Sequence, residues 1–136
     1  MKYLLDTNVC IRYLNAQSAN IEHMLTTLSP REVALCSIVR AELLYGALKS
    51  AQPKRNAERL AYFFSGFPCL PFDDRASDIY ADVRLRLEKA GKPIGPNDLL
   101  IGATAIANGL VLVTHNTQEF GRIEGLVVED WEAAAT

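Results

Sequence analysis

Four carboxylates stand where an acid is hard to accommodate or where a strand hands over to a helix. Asp6 closes the apolar run Leu4-Leu5 and is followed by Thr7-Asn8. Glu42 shares a helical face with Ile38, Ala41 and Tyr45 in a stretch with little other charge. Asp98 opens a helix in Gly95-Pro96-Asn97-Asp98-Leu99-Leu100-Ile101-Gly102. Glu119 comes three residues after Asn116, beyond the strand that ends at Val113-Thr114. Carboxylates converging on one point cannot all stay ionised without a cation, because mutual repulsion raises a pKa. An all-oxygen set without thiolate or paired imidazole selects a hard ion, Mg²⁺ or Mn²⁺. Such an ion activates water and neutralises charge on a phosphodiester, and two ions about 4 Å apart clamp attacking and leaving oxygens. The chemistry points to phosphate esters.

Each acid also has a structural explanation. Asp6 is a preferred helix N-cap, although Thr7 or Asn8 could cap instead and leave its carboxylate free. Glu42 on an apolar face needs a partner, either an arginine or a metal ion. Asp98 in a first helical turn favours the macrodipole, but Asn97 is available as the cap. Gly102, one turn along, is expected to leave open space beside that carboxylate. Thr114 and Asn116 read as turn formers and Glu119 as a capping or surface acid.

The elements needed to position these groups are short. The pattern predicts strands at Lys2 to Asp6, Val33 to Cys36, Cys69 to Phe72, Leu110 to Thr114 and Leu126 to Glu129. Helices are predicted after Thr7 or Asn8, over Asn20 to Leu28, and from Ile38 to about Lys49 with Ser37 as cap. Others follow over Lys54 to Ser65, after Asp73/Asp74 with Gly91 as the stop, and from Asp98 to Asn108. The helix after Ser37 is apolar almost all round and is expected to be largely buried. Leu43, Leu44 and Leu48 exceed what one inner face requires, so part of it is expected to meet another chain. Apolar strands alternating with helices imply a three-layer α/β/α sandwich around a central, mainly parallel sheet of four to five strands. In such sheets ligands collect beyond the carboxyl ends of the strands.

Length and composition agree with one domain, residues 1–136. Hydrophobic residues make up 49% and charged residues 22%, the balance of a folded soluble protein rather than a disordered one. A carboxylate already at position 6 is too early for a signal-peptide core, and no apolar run approaches a membrane span. A cytoplasmic protein is therefore expected, with Cys10, Cys36 and Cys69 as buried, reduced thiols. With only His23 and His115 beside them, no Cys/His zinc spacing exists. The net charge of -2 does not advertise a nucleic-acid binder. Local basic stretches exist at Lys49, Lys54, Arg55 and Arg59, and at Arg84, Arg86, Lys89 and Lys92. These serve equally as a phosphate track or a solvated helix face.

Taken in order, the segments Leu4-Leu5-Asp6-Thr7-Asn8, Ala41-Glu42-Leu43-Leu44-Tyr45-Gly46, Pro96-Asn97-Asp98-Leu99-Leu100-Ile101 and Val113-Thr114-His115-Asn116-Thr117-Gln118-Glu119-Phe120 resemble the successive motifs of PIN-domain nucleases. More narrowly, they resemble the VapC toxins of bacterial VapBC toxin–antitoxin pairs, and the closing Val128-Glu129-Asp130-Trp131 is similar to the end of that branch. The resemblance covers nearly the whole chain. It implies an Mg²⁺-dependent endoribonuclease, Mn²⁺ being a substitute, that cuts structured RNA such as tRNA or ribosomal RNA and arrests translation. It also implies a homodimer and a VapB-like antitoxin whose C-terminal tail blocks the site, with operator DNA bound only through the antitoxin.

Asp6, Glu42 and Asp98 match the family's three acids. Many PIN domains carry an aspartate where this chain has Asn116. Either Glu119 takes over as an outer ligand or a single bound ion carries the reaction. On this reading Asp6 and Asp98 hold the principal ion, and Glu42 binds it or orients the attacking water. Thr7, Asn8, Thr114 and Asn116 support them, and the products carry 5′-phosphate and 3′-hydroxyl ends.

Three rival readings remain on the sequence. A phosphohydrolase using Asp6 as covalent nucleophile would want a second aspartate two positions on, where Asn8 stands. A phosphate-accepting regulatory domain would want a lysine at a strand end, where Thr114-His115 stand. A plain interaction domain would use the acids as caps and salt bridges.

Overall fold

The computed structural model describes residues 1–133. Its five strands are β1 (Tyr3–Leu5), β2 (Val33–Cys36), β3 (Cys69–Leu70), β4 (Val111–Val113) and β5 (Val128–Glu129). They pair in the order β3-β2-β1-β4-β5, every neighbouring pair parallel. Strands buried on both faces need apolar residues throughout, which is why β1 and β2 are buried along their whole length without alternation. Strand alignment is set by Tyr3 beside both Val33 and Val111, with Leu5 reaching Val113. The three-layer α/β/α expectation holds, with the full five strands.

The helices are α1 (Thr7–Leu14), α2 (Ala19–Thr27), α3 (Ser37–Leu48), α4 (Pro53–Ser65), α5 (Asp74–Lys89), α6 (Pro96–Ala107) and a single turn, α7 (Thr117–Phe120). The chain winds outward from β1 to β3, then crosses back through α5 and α6 to β4. Right-handed crossovers therefore put α1–α4 on one face and the α5–α6 pair on the other. The reversal lies between β1 and β4. A crevice must open there above the carboxyl ends of both strands.

Local chemistry explains most element ends. Asp73 caps α5 by accepting from Ala76 N–H at 2.9 Å, and Gly91 adopts φ 68 just past its end. Gly102 is buried in α6, and a Cβ there would meet Ile123 Cδ1 at 2.9 Å. Its missing side chain thus admits the loop after α7 rather than opening space beside Asp98, contrary to expectation. The core runs through Leu4, Leu5, Leu35, Val39, Ile101, Leu112, Val113 and Phe120, closed at one end by the edge-to-face pair Tyr3–Trp131 at 5.2 Å.

Several details differ from the sequence reading. The 3₁₀ turn Pro30–Glu32 and α7 were not anticipated, being too short to carry a periodicity. The helix α3 buries one stripe only, Val39, Leu43 and Ala47, while Tyr45 and Leu48 are 65% and 68% exposed. Ser37 does not cap it; its hydroxyl donates to Leu70 C=O instead. Cys10 and Cys36 are buried, and burial raises both thiol pKa values, whereas Cys69 on the edge strand is exposed. In the second basic stretch, Arg84 pairs with Glu88 and Arg86 with Asp82, each one turn away, the pattern of a solvated helix face.

Candidate functional site

Asp6 sits where β1 passes into α1, and both of its oxygens are committed. Oδ1 accepts Val9 N–H at 2.9 Å, so Asp6 is itself the α1 cap, rather than Thr7 or Asn8. Oδ2 accepts the Thr114 hydroxyl at 2.5 Å. Thr114 is fully buried at the end of β4 and also accepts Asn116 N–H at 3.0 Å, so the turn after β4 is locked to the strand end after β1. Burial raises the Asp6 pKa; the Thr114 and Val9 bonds oppose this, while the charges of Glu132 and Glu42 add to it.

Glu42 is half-buried on α3, and among the described residues no arginine pairs with it. Its Oε1 accepts the Thr7 hydroxyl at 2.7 Å and its Oε2 the Asn97 amide at 3.4 Å. Asn97 is therefore not the α6 cap. Gly95 takes that position, Pro96 begins the helix, and the Asn97 side chain turns to Glu42. The sequence reading missed this contact because Asn before a helical run is read as a cap.

Glu119 is anchored on both oxygens, by Gly95 N–H at 2.9 Å and by the Asn116 amide at 2.9 Å. The bond from Gly95 comes first in holding its pKa below the ordinary value, and the Asn116 bond second. Asp98 faces the other way energetically. Its pKa is raised to about 6, first by desolvation and then by the charges of Glu119, Asp6 and Glu42. Four acids thus feel one another around the β1–β4 crevice. Among the described residues, none of the four has a Lys, Arg or His nitrogen within 4.0 Å.

This donor set fits a hard divalent cation. All its atoms are oxygens, its charge is unbalanced by any cationic side chain in contact, and three of its members are pre-aimed by hydroxyl, amide or backbone donors. The set is open rather than cage-like. Among the described residues, the His/Cys/Asp/Glu triad drawn within 4.8 Å is a different one, His115, Asp130 and Glu132. An open set suits Mg²⁺, which keeps several of its waters.

Asp6 also lines a cavity of about 480 Å³ with Asn8, Ile11, Arg12, Gln17, His115, Asn116 and Glu132. Arg12 and Glu132 form an ion pair across it. Neither residue was anticipated as part of the site. Arg12 looks like an ordinary last-turn base of α1, and Glu132 stands alone near the end of the sequence.

Comparison with known proteins agrees with the sequence resemblance. The PIN domain family model matches residues 3–126. The chain is 39% identical over 133 residues to "Ribonuclease VapC2" of Rickettsia felis, covering 97% of this chain and 99% of that protein. It is 37% identical over 131 residues to "tRNA(fMet)-specific endonuclease VapC" of Shigella flexneri, covering 96% of this chain and 98% of that one. The structure superimposes with a TM-score of 0.90 and 38% identity on a chain of the Rickettsia felis VapBC2 complex bound to a DNA fragment from its promoter, covering 96% and 99% of the two chains.

Proposed function

The chain belongs to the PIN-domain family, and we propose that it is the Mg²⁺-dependent endoribonuclease toxin of a VapBC-type pair, hydrolysing phosphodiester bonds in structured RNA, tRNA or rRNA. The observation that carries the chemistry is Asp98: a carboxylate crowded by three other acids, with no Lys, Arg or His nitrogen within 4.0 Å among the described residues. When bound, Mg²⁺, or Mn²⁺ in its place, would polarise the phosphodiester and lower the pKa of an attacking water.

The residues divide the work. Asp6 and Asp98 would hold the ion, and Thr114 keeps the Asp6 carboxylate in one orientation. Glu42, steadied by Thr7 and Asn97, orients the attacking water and receives its proton. Glu119, tied to the loop before α6 through Gly95 and held by the Asn116 amide, would serve as an outer ligand. Asp6 is a poor candidate for a covalent nucleophile, since Asn8 stands where that chemistry would want a second aspartate.

Of the remaining assignments, the antitoxin and DNA rest on likeness to the VapBC complexes, and the others on the sequence reading alone. These assignments are a VapB-like antitoxin as partner, a homodimer, operator DNA contacted only through the antitoxin, a single nuclease domain over residues 1–136, and a cytoplasmic setting. No described helix is long and apolar enough to cross a membrane.

The test is cleavage of total cellular RNA by wild type and Asp98→Asn, each with Mg²⁺ and with excess chelator. A discrete cut made only by wild type with metal, leaving 5′-phosphate ends, is expected. Products with 2′,3′-cyclic phosphate would mean attack by the ribose 2′-hydroxyl and exclude the water mechanism. No cut, with both proteins folded and neither binding metal, would leave the acids as structural groups.

A further inference from the structure

A second ligand set lies outside the four acids. His115 follows β4, while Asp130 and Glu132 flank Trp131 just after β5. Nδ1 of His115 is 3.0 Å from Oδ2 of Asp130 and 3.8 Å from Oε2 of Glu132. One ligand atom from each residue lies within 4.8 Å of the other two. Ligands held about 2.1 Å from a tetrahedral ion sit roughly 3.4 Å apart, so the observed spacing needs only small adjustments.

Both carboxylates are aimed. Asp130 uses Oδ1 to accept the Glu132 backbone N–H at 2.9 Å, which leaves Oδ2 facing the imidazole. Glu132 uses Oε1 to pair with Arg12. Its Oε2, like the Nε of Arg12, is buried without a hydrogen-bond partner, on a side chain only 10% exposed. A buried carboxylate oxygen left without a donor is destabilising, and natural structures rarely keep one without a reason. The His115 side chain is 69% exposed, so an ion reaches the gap directly from solvent.

We infer that His115, Asp130 and Glu132 form a binding site for a divalent first-row transition ion such as Zn²⁺, separate from the all-oxygen centre. One imidazole nitrogen with two carboxylate oxygens is a borderline-soft set, where the four acids are a hard one. The imidazole takes its Nε2–H tautomer and offers the Nδ1 lone pair, and the orphaned Glu132 oxygen gains the partner it lacks. A bound ion would pin the turn after β4 to the segment after β5. It would also stand across the cavity from Asp6, whose pKa Glu132 helps to raise.

The experiment is titration of the full chain with Zn²⁺ in a large excess of Mg²⁺, so that the hard ion competes for the four acids. Calorimetry and thermal melting are run on wild type, His115→Ala and Glu132→Gln. Wild type should bind one Zn²⁺ and melt higher with it, and each variant should lose at least about tenfold in affinity and the gain in melting temperature. In nuclear magnetic resonance spectra Zn²⁺ should shift the His115 ring signals and leave His23 unmoved. Because His115 is exposed, His115→Ala keeps the fold and remains informative if Glu132→Gln does not. Unchanged Zn²⁺ binding in His115→Ala would place the ion elsewhere and overturn the assignment, as would a wild type that binds none.

Discussion

Replacing Asp98 by asparagine should make the metal-free protein more stable while abolishing cleavage. The Asp98 pKa lies near 6 in the folded chain against 3.8 for the free group, so folded protein holds a proton that unfolded protein has released. A raised carboxylate pKa makes stability fall as pH climbs from about 4 to about 6, and above that the full penalty is present. The shift corresponds to about 3 kcal/mol at 1.36 kcal/mol per unit, and solvent screening of this half-exposed group reduces it to about 1.5 kcal/mol. The substituted amide carries no charge to repel, so Asp98→Asn should gain that amount at pH 7.5, or roughly 6 °C in Tm. At pH 4.5 wild type already holds the proton, and the gain should shrink to about 0.5 kcal/mol. The assay is urea and thermal unfolding of both proteins in chelator at the two pH values, repeated with Mg²⁺. Added Mg²⁺ should raise wild type and leave the variant nearly unmoved. A variant no more stable than wild type at pH 7.5 in chelator would refute the reasoning, because it would mean Asp98 feels no net repulsion from Glu119, Asp6 and Glu42.

Three further outcomes follow from the geometry. Asp6→Asn keeps an oxygen for Val9 N–H and should fold normally yet lose at least about a hundredfold in RNA cleavage, whereas Asp6→Ala should lose a further ~1 kcal/mol of stability with the cap; denaturant melts beside a cleavage assay separate the two. Thr114→Val removes the hydroxyl that serves both Asp6 and Asn116 N–H, so about 1–3 kcal/mol of stability should go. Since the Thr114 bond lowers the Asp6 pKa, the acid limb of the pH–rate profile should also move to higher pH in that variant. Gly102→Val should cost about 1–3 kcal/mol by driving a branched side chain against Ile123, Leu126 and Phe120, and Gly102→Ala should cost less because the Ile123 tip can rotate.

The architecture was legible because buried parallel strands and one-sided helices write different apolar patterns, and the four acids were legible because each interrupts such a pattern. What the sequence concealed was how each side chain divides its contacts. Asp6 is both helix cap and site acid, since a carboxylate has two oxygens and the fold uses them separately. Asn97 looked like a cap and Gly102 like open space, but both are decided by neighbours tens of residues away, Glu42 for the first and Ile123 for the second. Of the apolar surplus on α3, only Leu48 is exposed; Leu43 is buried in the core and Leu44 is half-buried. Burial all round that helix was the wrong inference, because hydropathy alone does not say which face has a partner. Arg12 and Glu132 carried no local signal at all; their meaning comes from a cavity that exists only after β1 and β5 have joined the same sheet.

The order of the strands has a consequence during synthesis. Asp6 is made 108 residues before its hydroxyl partner Thr114, and the two meet only when β1 pairs with β4. Helix α6 and Asp98 also come late, and β5 comes later still. A chain emerging from a ribosome can assemble β1, β2 and their helices long before it possesses Asp98, Thr114 or Glu119. A chain made no further than α5 therefore lacks two of the four acids and the hydroxyl that holds a third. With the function proposed above, the nuclease stays inert until α6, β4 and α7 have all been made and β4 has joined β1.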